Sequence, residues 1–321
     1  MEPNLNGKKI VITGGCGFIG SHLVRHLTRI GARILVLKDK TDPCQRLQDS
    51  DKSVDVISCT FADPNAIRKA LGEFRPEYVA HLRAAVNKDS SSSVLDELFK
   101  KNVLETVHLL NVAKEIKSIK RFVGFGSIEE CAGGEPPFNE QSRDAPLSPY
   151  SISKLLSTKV MQYFFAKERL PIVVLRLSVV YGPAQHEGMF VPDLVTSCLA
   201  GRDFSMTEGT QTRDFIFVDD VIEAVLRSFV APDIEGEIFH IGSGKPVTLK
   251  EVARKVHAQT KSQNHILFGM LPKRDSESIG YATDIRKAKK QLQWHPNISI
   301  EEGLKKTIGW YNQLLFGTFG I

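Results

Sequence analysis

The sequence lacks the features that would place the protein in a membrane or on nucleic acid. No apolar run approaches the roughly 18 residues that span a bilayer. The start, Met1 to Asn4, has neither the charged nor the apolar part of a secretory signal, so we expect a cytoplasmic protein. No run of like charges reaches five and the formal net charge is a mild +5, which favours a small anionic partner over nucleic acid.

Cysteine is scarce and shows no pairing pattern. The five cysteines lie at positions 16, 44, 59, 131 and 198, an odd number without a Cys-x-x-Cys pair. This pattern argues against a disulfide framework and against a zinc site, so we expect free thiols and no metal. With 321 residues, of which 42% are hydrophobic and 25% charged, the chain is predicted to be globular, with one large core or a core and a smaller lobe.

The first motif is a glycine-rich turn between a predicted strand, 9–13, and a helical pattern that runs to about Ile30. Glycines at 14, 17 and 20 permit a tight turn, close approach to a pyrophosphate, and close helix–strand packing. Free N–H groups at the helix start attract phosphate. The turn therefore predicts a dinucleotide site, with a glycine-rich turn that binds nothing as the alternative.

The second predicted strand, 33–37, should deliver an acidic residue to the adenosine ribose. It delivers Lys38 first and Asp39 second. Lys38 could tolerate a 2′-phosphate or be a solvated loop lysine, so this position leaves NAD and NADP both open.

Strands and helices then alternate along the chain. Further strands are predicted at 54–58, 78–82, 121–125, 215–218 and 237–241, and helices from Asp63-Pro64-Asn65, over 94–116 and over 149–167. This alternation predicts an α/β fold, a Rossmann-like doubly wound parallel sheet with its ligand at the carboxyl ends of the strands.

A tyrosine and a lysine, Tyr150 and Lys154, lie four residues apart where the last of these helices begins. That spacing is about one helical turn, so both side chains project from one face. An ammonium group favours the phenolate form of a neighbouring tyrosine, which suggests Tyr150 as a base.

Together these motifs resemble the extended short-chain dehydrogenase/reductases that act on nucleotide sugars, the dehydratase and epimerase family. The resemblance spans essentially the whole chain. It rests on the following segments: Thr13 to Gly20, His81-Leu82-x-Ala84, Asn102, Ser127, Tyr150-x-x-x-Lys154, Arg176 through Val180-Tyr181-Gly182-Pro183, Arg213-Asp214-Phe215, Val218-Asp219-Asp220 and Trp294-x-Pro296.

The resemblance implies an enzyme that oxidises C4 of the sugar with a recycled NAD. Tyr150 would take the proton of the 4-hydroxyl, Lys154 would hold the nicotinamide ribose, and Ser127 would hydrogen-bond the same hydroxyl. The implied cofactor-binding residues are Gly14, Gly17, Phe18, Ile19, Asp39, Leu82, Tyr150 and Lys154.

The segment Ser127-Ile128-Glu129-Glu130-Cys131 favours dehydration. Glu129 falls at the position of the dehydratase base that removes the C5 hydrogen, where epimerases usually have a small or uncharged residue. Ile128 replaces the aspartic acid of many 4,6-dehydratases, and Cys131 replaces a tyrosine. Cys131 is interpreted either as a substitute proton donor or as an inert buried thiol. Without the aspartate, hydride could return to C4 and leave a 5,6-alkene. The resemblance implies this product for the family members that are 5,6-dehydratases of UDP-N-acetylglucosamine.

Substrate contacts are also implied by the resemblance. Phe190 would begin a helix over the nucleotide, Arg213 would bind the diphosphate, and Arg274 and Glu277 would lie near the phosphates and ribose. Val179 replaces the family's asparagine before Val-Tyr-Gly-Pro, so one polar contact is missing or supplied elsewhere. Each charged residue could instead form a surface ion pair.

The expected domains are a dinucleotide-binding part, 1–182 and 213–241, and a nucleotide-sugar lobe, 183–212 and 242–321. In this family the helices equivalent to 94–116 and 149–167 form a homodimer interface, although core packing also explains their apolar residues. Other interpretations remain open: a 4-epimerase without need of Glu129, an NADPH-dependent 4-ketoreductase favoured by Lys38, or a non-catalytic dinucleotide sensor.

Overall fold

A seven-stranded parallel sheet forms the centre of the computed structural model, which describes residues 3–47, 54–87, 89, 91–272 and 280–317. The strands in chain order are β1 (Lys9–Thr13), β2 (Arg33–Lys38), β3 (Val54–Ser58), β4 (Tyr78–His81), β5 (Arg121–Ser127), β6 (Ile172–Leu177), β7 (Val179–Tyr181), β8 (Phe204–Ser205), β9 (Thr212–Arg213), β10 (Phe215–Phe217), β11 (Ile238–Ile241), β12 (Val247–Thr248) and β13 (Ile266–Leu267). The spatial order of the central sheet is β11-β6-β5-β4-β1-β2-β3. The predicted doubly wound parallel sheet is therefore confirmed.

Helices cover both faces of this sheet. They are α1 (Phe18–Arg29), α2 (Pro64–Phe74), α3 (Leu95–Leu98), α4 (Glu105–Ala113), α5 (Pro149–Glu168), α6 (Phe190–Leu199), α7 (Val218–Val230), α8 (Leu249–Thr260), α9 (Arg286–Gln291) and α10 (Ile300–Phe316). One apolar core lies between the sheet and α1 with α7, and a second lies between the sheet and α2, α4 and α5. A third joins α6, α8 and α10. None of the described helices has the length and apolar character needed to cross a bilayer.

Local chemistry explains where the key helices begin. Asp63 caps α2 by accepting a hydrogen bond from the Asn65 amide at 2.9 Å, with Pro64 at the first helical position. Ser148 caps α5 through a reciprocal pair of bonds with Ser151, and Pro149 follows it. These bonds satisfy amide groups that a helix start leaves without partners, and they fix the start of the helix that carries Tyr150.

The predicted continuous helix over 94–116 is interrupted. A π-helical segment, Phe99–Leu104, separates α3 from α4. Within it the buried Asn102 side chain accepts from the Ala85 amide at 2.7 Å and donates to the Ala85 carbonyl and to Ser153 Oγ. The irregular turn thus connects the loop after β4 to α5, because one amide side chain bonds to both.

Two strand predictions need correction. Strand β6 was not predicted from the sequence, although its run of apolar residues is buried between β5 and the edge strand β11. The strand predicted at 215–218 ends at Phe217, because Val218 begins α7, and it pairs with β7 instead of joining the central sheet.

Candidate active site

The sheet order places the candidate site at the carboxyl end of β1. Strand β1 pairs in parallel with β2 on one side and β4 on the other, so the order in which successive strands join the sheet reverses between β1 and β4 and leaves a crevice there. The glycine-rich loop follows β1, and the predicted contact residues Phe18, Ile19 and Leu82 lie half-buried around it. Leu82 donates its amide to the Thr13 carbonyl at 3.0 Å, which holds the two strand ends together.

The loop geometry fits a pyrophosphate. Gly14 has a φ of +73°, and a Cβ there would come within 2.8 Å of the Arg83 backbone nitrogen. A Cβ on Gly20 would overlap the Gly14 carbonyl group. Helix α1 begins after Gly17 with no side-chain cap and no acidic residue in its first turn, so its first N–H groups have no competing side-chain acceptor. The residues present therefore fit the diphosphate of a dinucleotide.

Several charged side chains bond to one another near the end of β2, where the adenosine ribose of the cofactor is expected; we call this part of the crevice the ribose end. The buried guanidinium of Arg83 bonds to Asp39 at 3.1 Å, to Asp42 at 3.3 Å and to Glu105 at 2.7 Å. Lys38 donates to the carbonyl oxygens of Asp39 and Asp42, at 3.1 and 2.7 Å. Lys38 thus stabilises a turn, and the three carboxylates around one arginine disfavour the extra phosphate of NADP.

The thiol prediction was wrong for two cysteines. Cys16, within the glycine-rich loop, forms a disulfide with Cys44, and their Cα atoms are 4.7 Å apart. The bond links the loop after β1 to the segment after β2, a proximity that the sequence spacing of 28 residues did not reveal. Cys59, Cys131 and Cys198 are free and buried, as expected.

Strand β5 and helix α5 bring Ser127, Tyr150 and Lys154 together. Ser127 ends β5 close enough to Tyr150 to affect its pKa, and Lys154 lies buried one turn further along α5. Burial lowers the pKa of Lys154 to about 8, and Glu130 opposes that change. Burial, Glu129 and Glu130 raise the pKa of Tyr150, and Ser127 opposes that change. Desolvation therefore dominates at Tyr150 when no ligand is bound, and the role of Tyr150 as a base stays a prediction.

Glu129 lies on the side of the turn after β5 that faces Tyr150 and Arg213, which we call the cleft side of the active site. Its amide donates to Ser127 Oγ at 3.2 Å. Burial raises the pKa of the Glu129 carboxyl above its ordinary value of 4.5, and the Arg213 guanidinium partly opposes the change. Its charge is also felt by Tyr150. A carboxylate with a raised pKa beside a tyrosine is suited to accept a proton from carbon.

Glu130 points the other way, into the protein. It is fully buried and accepts hydrogen bonds from the Ser127 amide at 2.8 Å, Thr158 Oγ1 at 3.1 Å and Arg176 Nε at 2.7 Å. Arg176 also binds Asp144 at 2.8 Å. This buried network fixes the end of β5 and the orientation of Ser127.

Cys131 is enclosed in a small apolar cluster with Ile128, Ala132, Phe138 and Tyr281. Its sulfur lies 3.5 Å from the Arg176 Nη1 donor, and burial raises the pKa of the thiol to about 11. The thiol stays protonated at neutral pH but has no exposed surface. This placement favours the inert-thiol interpretation over a proton donor.

The predicted substrate residues are only partly described. Phe190 begins α6 and packs its ring near Phe204 and Phe215. The buried Arg213 stacks on Tyr281, with 4.5 Å between its guanidinium carbon and the ring centroid. Arg274 and Glu277 lie outside the described residues.

Two contributors were missed by sequence reasoning. Arg83 occupies the variable position of His-Leu-x-Ala and was given no role. Glu130 was given no role because Glu129 matched the position of the dehydratase base. An arginine two residues after a buried strand end was the available signal for the first. For Glu130, the spacing of Ser127 and Glu130 is that of a capping box.

The fold and the site define an NAD(P)-type dinucleotide enzyme with a serine, tyrosine and lysine at the strand ends. The model of the NAD dependent epimerase/dehydratase family matches residues 10–242, and the chain belongs to this family. It is an enzyme of the nucleotide-sugar dehydratase and epimerase class, and its cofactor is NAD.

Individual relatives have differing activities. The chain is 30% identical to a UDP-N-acetyl-alpha-D-glucosaminuronate decarboxylase of Bacillus cytotoxicus, covering 96% of this chain and 98% of the relative. It is 28% identical to the dTDP-glucose 4,6-dehydratase of Haemophilus influenzae, covering 94% and 97%. The crystal structure of UDP-glucuronic acid 4-epimerase from Bacillus cereus with UDP-glucuronic acid and NAD superposes with a TM-score of 0.89 at 25% identity, covering 95% and 99%.

Proposed function

We propose that the chain is an NAD-dependent nucleotide-sugar dehydratase that oxidises C4, eliminates water across C5 and C6, and returns the hydride. The observation that carries this proposal is Glu129, a carboxylate withdrawn from water on the cleft side of β5, with a raised pKa and its charge felt by Tyr150. A plain epimerase needs no base at that position.

The cofactor would be held by the glycine-rich loop and the start of α1 at its diphosphate, Asp39 at a ribose, and Lys154 at the nicotinamide ribose. Bound NAD would supply a hydride acceptor for C4, the source of the returning hydride, and a positive ring charge in the site. Without a ligand, burial raises the pKa of Tyr150. A positive charge nearby stabilises the phenolate, so the bound cofactor would lower this pKa and favour deprotonation of Tyr150.

The residues of the chain then divide the proton transfers. Tyr150 accepts the proton of the C4 hydroxyl, and Ser127 orients that hydroxyl. The resulting C4 ketone acidifies the C5 hydrogen, which Glu129 removes as a proton. Electrons of the C5–H bond form the C5–C6 double bond as the C6–O bond breaks, and the departing hydroxide takes up the proton that Glu129 removed and leaves as water. When the hydride returns to C4, Tyr150 gives its proton back to the C4 oxygen.

For the substrate we propose UDP-N-acetylglucosamine and a 5,6-dehydratase, similar to the enzyme of tunicamycin biosynthesis. The support is Ile128 in place of an acid, together with a buried Cys131 that offers the site no proton. Hydride would then return to C4, giving a 5,6-alkene without net redox change. The lobe 183–212 and 242–321 would contact the nucleotide through Phe190, and Arg213, at the start of the second part of the dinucleotide-binding domain, would bind the diphosphate.

The test is a mass spectrum of products from UDP-N-acetylglucosamine, dTDP-glucose and UDP-glucuronic acid, without added reductant and in deuterated water. We expect loss of one water and deuterium at C5 in recovered substrate. An isomer of unchanged mass would identify an epimerase. In a parallel reaction with added NADPH, stoichiometric oxidation of NADPH would identify a ketoreductase. Glu129→Gln should abolish the exchange, whereas Glu135→Gln, an exposed glutamate nearby, should retain it.

Decarboxylation is the second candidate, favoured by the relative at 30% identity and by Arg213 close to Glu129, where a cation could receive a substrate carboxylate. The same C4 ketone would promote loss of carbon dioxide from a uronic acid. In the assay above, UDP-glucuronic acid would lose carbon dioxide while the neutral sugars would be left unchanged.

We also propose a homodimer through α5 and the helical segment before α4. The exposed apolar side chains Leu104, Ile152, Leu156 and Tyr163 support it, because large exposed apolar residues on neighbouring helices are typical of an interface. Light scattering should give twice the chain mass, and Leu156→Glu should give the monomer mass.

A further inference from the structure

A cleft of about 1040 Å³ lies apart from the catalytic and cofactor residues. Its walls come from α1, α7, α10 and the segments 45–46 and 183–187. The proposed function assigns nothing to it. Its volume is in the range of small-molecule sites and larger than a single phosphate fills.

Three arginines from two segments meet at this cleft: Arg25 and Arg29 on α1, and Arg46 from the 3₁₀ turn after Cys44. Arg25 donates to the Arg46 carbonyl at 3.2 Å, and Arg46 donates to the Ala184 carbonyl at 2.9 Å. Those neutral acceptors position the guanidinium groups without cancelling their charge. Within the described ranges, Arg29 forms no ion pair.

The acidic residues around the cleft do not balance the charges of the three arginines. Glu223 is bonded to Arg227 at 2.6 Å, and Lys306 is bonded to Glu302 at 3.2 Å, so each of these pairs is neutral. The carboxylates that remain to face the three arginines are Asp219, whose side chain is 55% exposed, and the exposed Glu187. Burial and repulsion from Arg29 and Arg46 lower the pKa of Arg25 despite Asp219, as expected where cations outnumber anions.

An aromatic pair stands at another wall of the cleft. Trp310 is half-buried on α10 and meets the buried Tyr311 edge-on, with 4.8 Å between ring centroids. A partly exposed indole is a surface on which a nucleobase stacks. Guanidinium groups bind phosphate oxygens in bidentate fashion.

We propose that this cleft binds a nucleoside di- or triphosphate, with the phosphates on Arg25, Arg29 and Arg46 and the base against Trp310. The site is separate from the active site, so each chain binds one such nucleotide here in addition to its substrate.

UTP is the probe, titrated against the NAD-loaded enzyme by equilibrium dialysis and by tryptophan fluorescence. We expect two UTP molecules per chain, one at the active site and one at the cleft. Trp294, the other tryptophan in the sequence, is buried and donates to the Asp220 carbonyl at 2.9 Å, so the fluorescence change should come from Trp310. Inorganic tripolyphosphate should bind more weakly and uridine should not bind.

The double variant Arg25→Gln with Arg29→Gln should bind one UTP per chain, with affinity at the cleft reduced roughly tenfold or more. Its turnover and its inhibition by UTP at the active site should be unchanged. Arg254→Gln, an exposed arginine on α8, is the matched control and should keep both sites.

Trp310→Phe keeps all three arginines. It should lose the fluorescence change, while dialysis should still detect two UTP sites per chain. This variant therefore tests the proposal even if the double arginine variant misfolds. A single UTP per wild-type chain, or an unchanged second site in a double variant with native melting temperature, would overturn the proposal. Either result leaves the dehydratase proposal untouched, because that rests on the product of the reaction.

Discussion

Glu129 and Glu130 are adjacent in the chain, yet they lie in opposite environments. Glu130 faces the core and has three hydrogen-bond donors at 2.7–3.1 Å. Glu129 faces the cleft, where burial raises its pKa and Arg213 only partly compensates. One turn of chain after β5 therefore holds two different carboxylates. Hydrogen-bond donors compensate the charge of Glu130, which is structural, whereas the charge of Glu129, the candidate base, is only partly compensated.

The difference follows from geometry at the end of a central strand. Arg176 on β6 and Thr158 on α5 supply donors on the core side. Gly126 leaves room for the carboxylate, because a Cβ there would lie 2.5 Å from Glu130 Oε1. The cleft side has to stay open for a substrate, so fewer protein groups can satisfy a charge there.

The largest effect is expected from Glu130→Ala. This variant leaves the Arg176 guanidinium, which is 2% exposed, without its closest partner. We expect the free energy of unfolding to fall by about 3–5 kcal/mol, the usual cost of breaking a buried pair. Urea denaturation measures it. Equal losses for Glu129→Ala and Glu130→Ala would remove the distinction between the two residues.

Next is Glu129→Gln, which should lower the rate of water loss by about 10²–10⁴-fold, the usual contribution of a general base. Oxidation at C4 does not use Glu129, so the absorbance of reduced nicotinamide should still appear in a single turnover. Simultaneous loss of both steps would show that Glu129 positions the substrate instead of removing its C5 proton.

The same substitution should increase stability at neutral pH. An acid whose folded-state pKa is raised binds its proton more tightly when folded, so its ionised form costs stability above that pKa. Glu129→Gln removes this cost. Its advantage in melting temperature should therefore be present near pH 8 and shrink as the pH falls toward the ordinary value of 4.5. A constant difference across that range would contradict it.

The carboxylates near the expected ribose site differ from Glu129, because each of them is paired with Arg83. Arg83→Met should release Asp39 from its 3.1 Å bond and weaken NAD binding roughly tenfold, with little change in kcat at saturating NAD. Fluorescence titration measures it, and Arg68→Met, an exposed arginine on α2, is the control. An unchanged affinity for NAD would mean that Arg83 only stabilises the fold.

The smallest effect is expected from Cys131→Ala. The thiol is enclosed and its pKa is raised to about 11, so turnover should stay within about twofold of wild type, while stability falls by ~1 kcal/mol from lost packing. Product formation over time measures the first. A large loss of turnover with normal folding would restore Cys131 as the proton donor.

Sequence reasoning was strongest where the signal is local. Strand β1, the glycine-rich loop and the starts of α2 and α5 depend on neighbouring residues, and their positions agree with the structure. It failed where distant residues decide. The partners of Glu130 lie 28 and 46 positions away, the Asn102 contacts interrupt a regular helix, and β10 pairs with β7 instead of the central sheet. Periodicity contains none of that information.

The bond between Cys16 and Cys44 has a practical consequence for anyone who handles the protein. It ties the phosphate-binding loop to the strand-end segment leading to Arg46. Dithiothreitol would break that covalent link and leave the loop held by hydrogen bonds and packing alone. Preparations made with and without reductant are two chemically distinct samples, and their affinities for NAD should be compared before either is used as a reference.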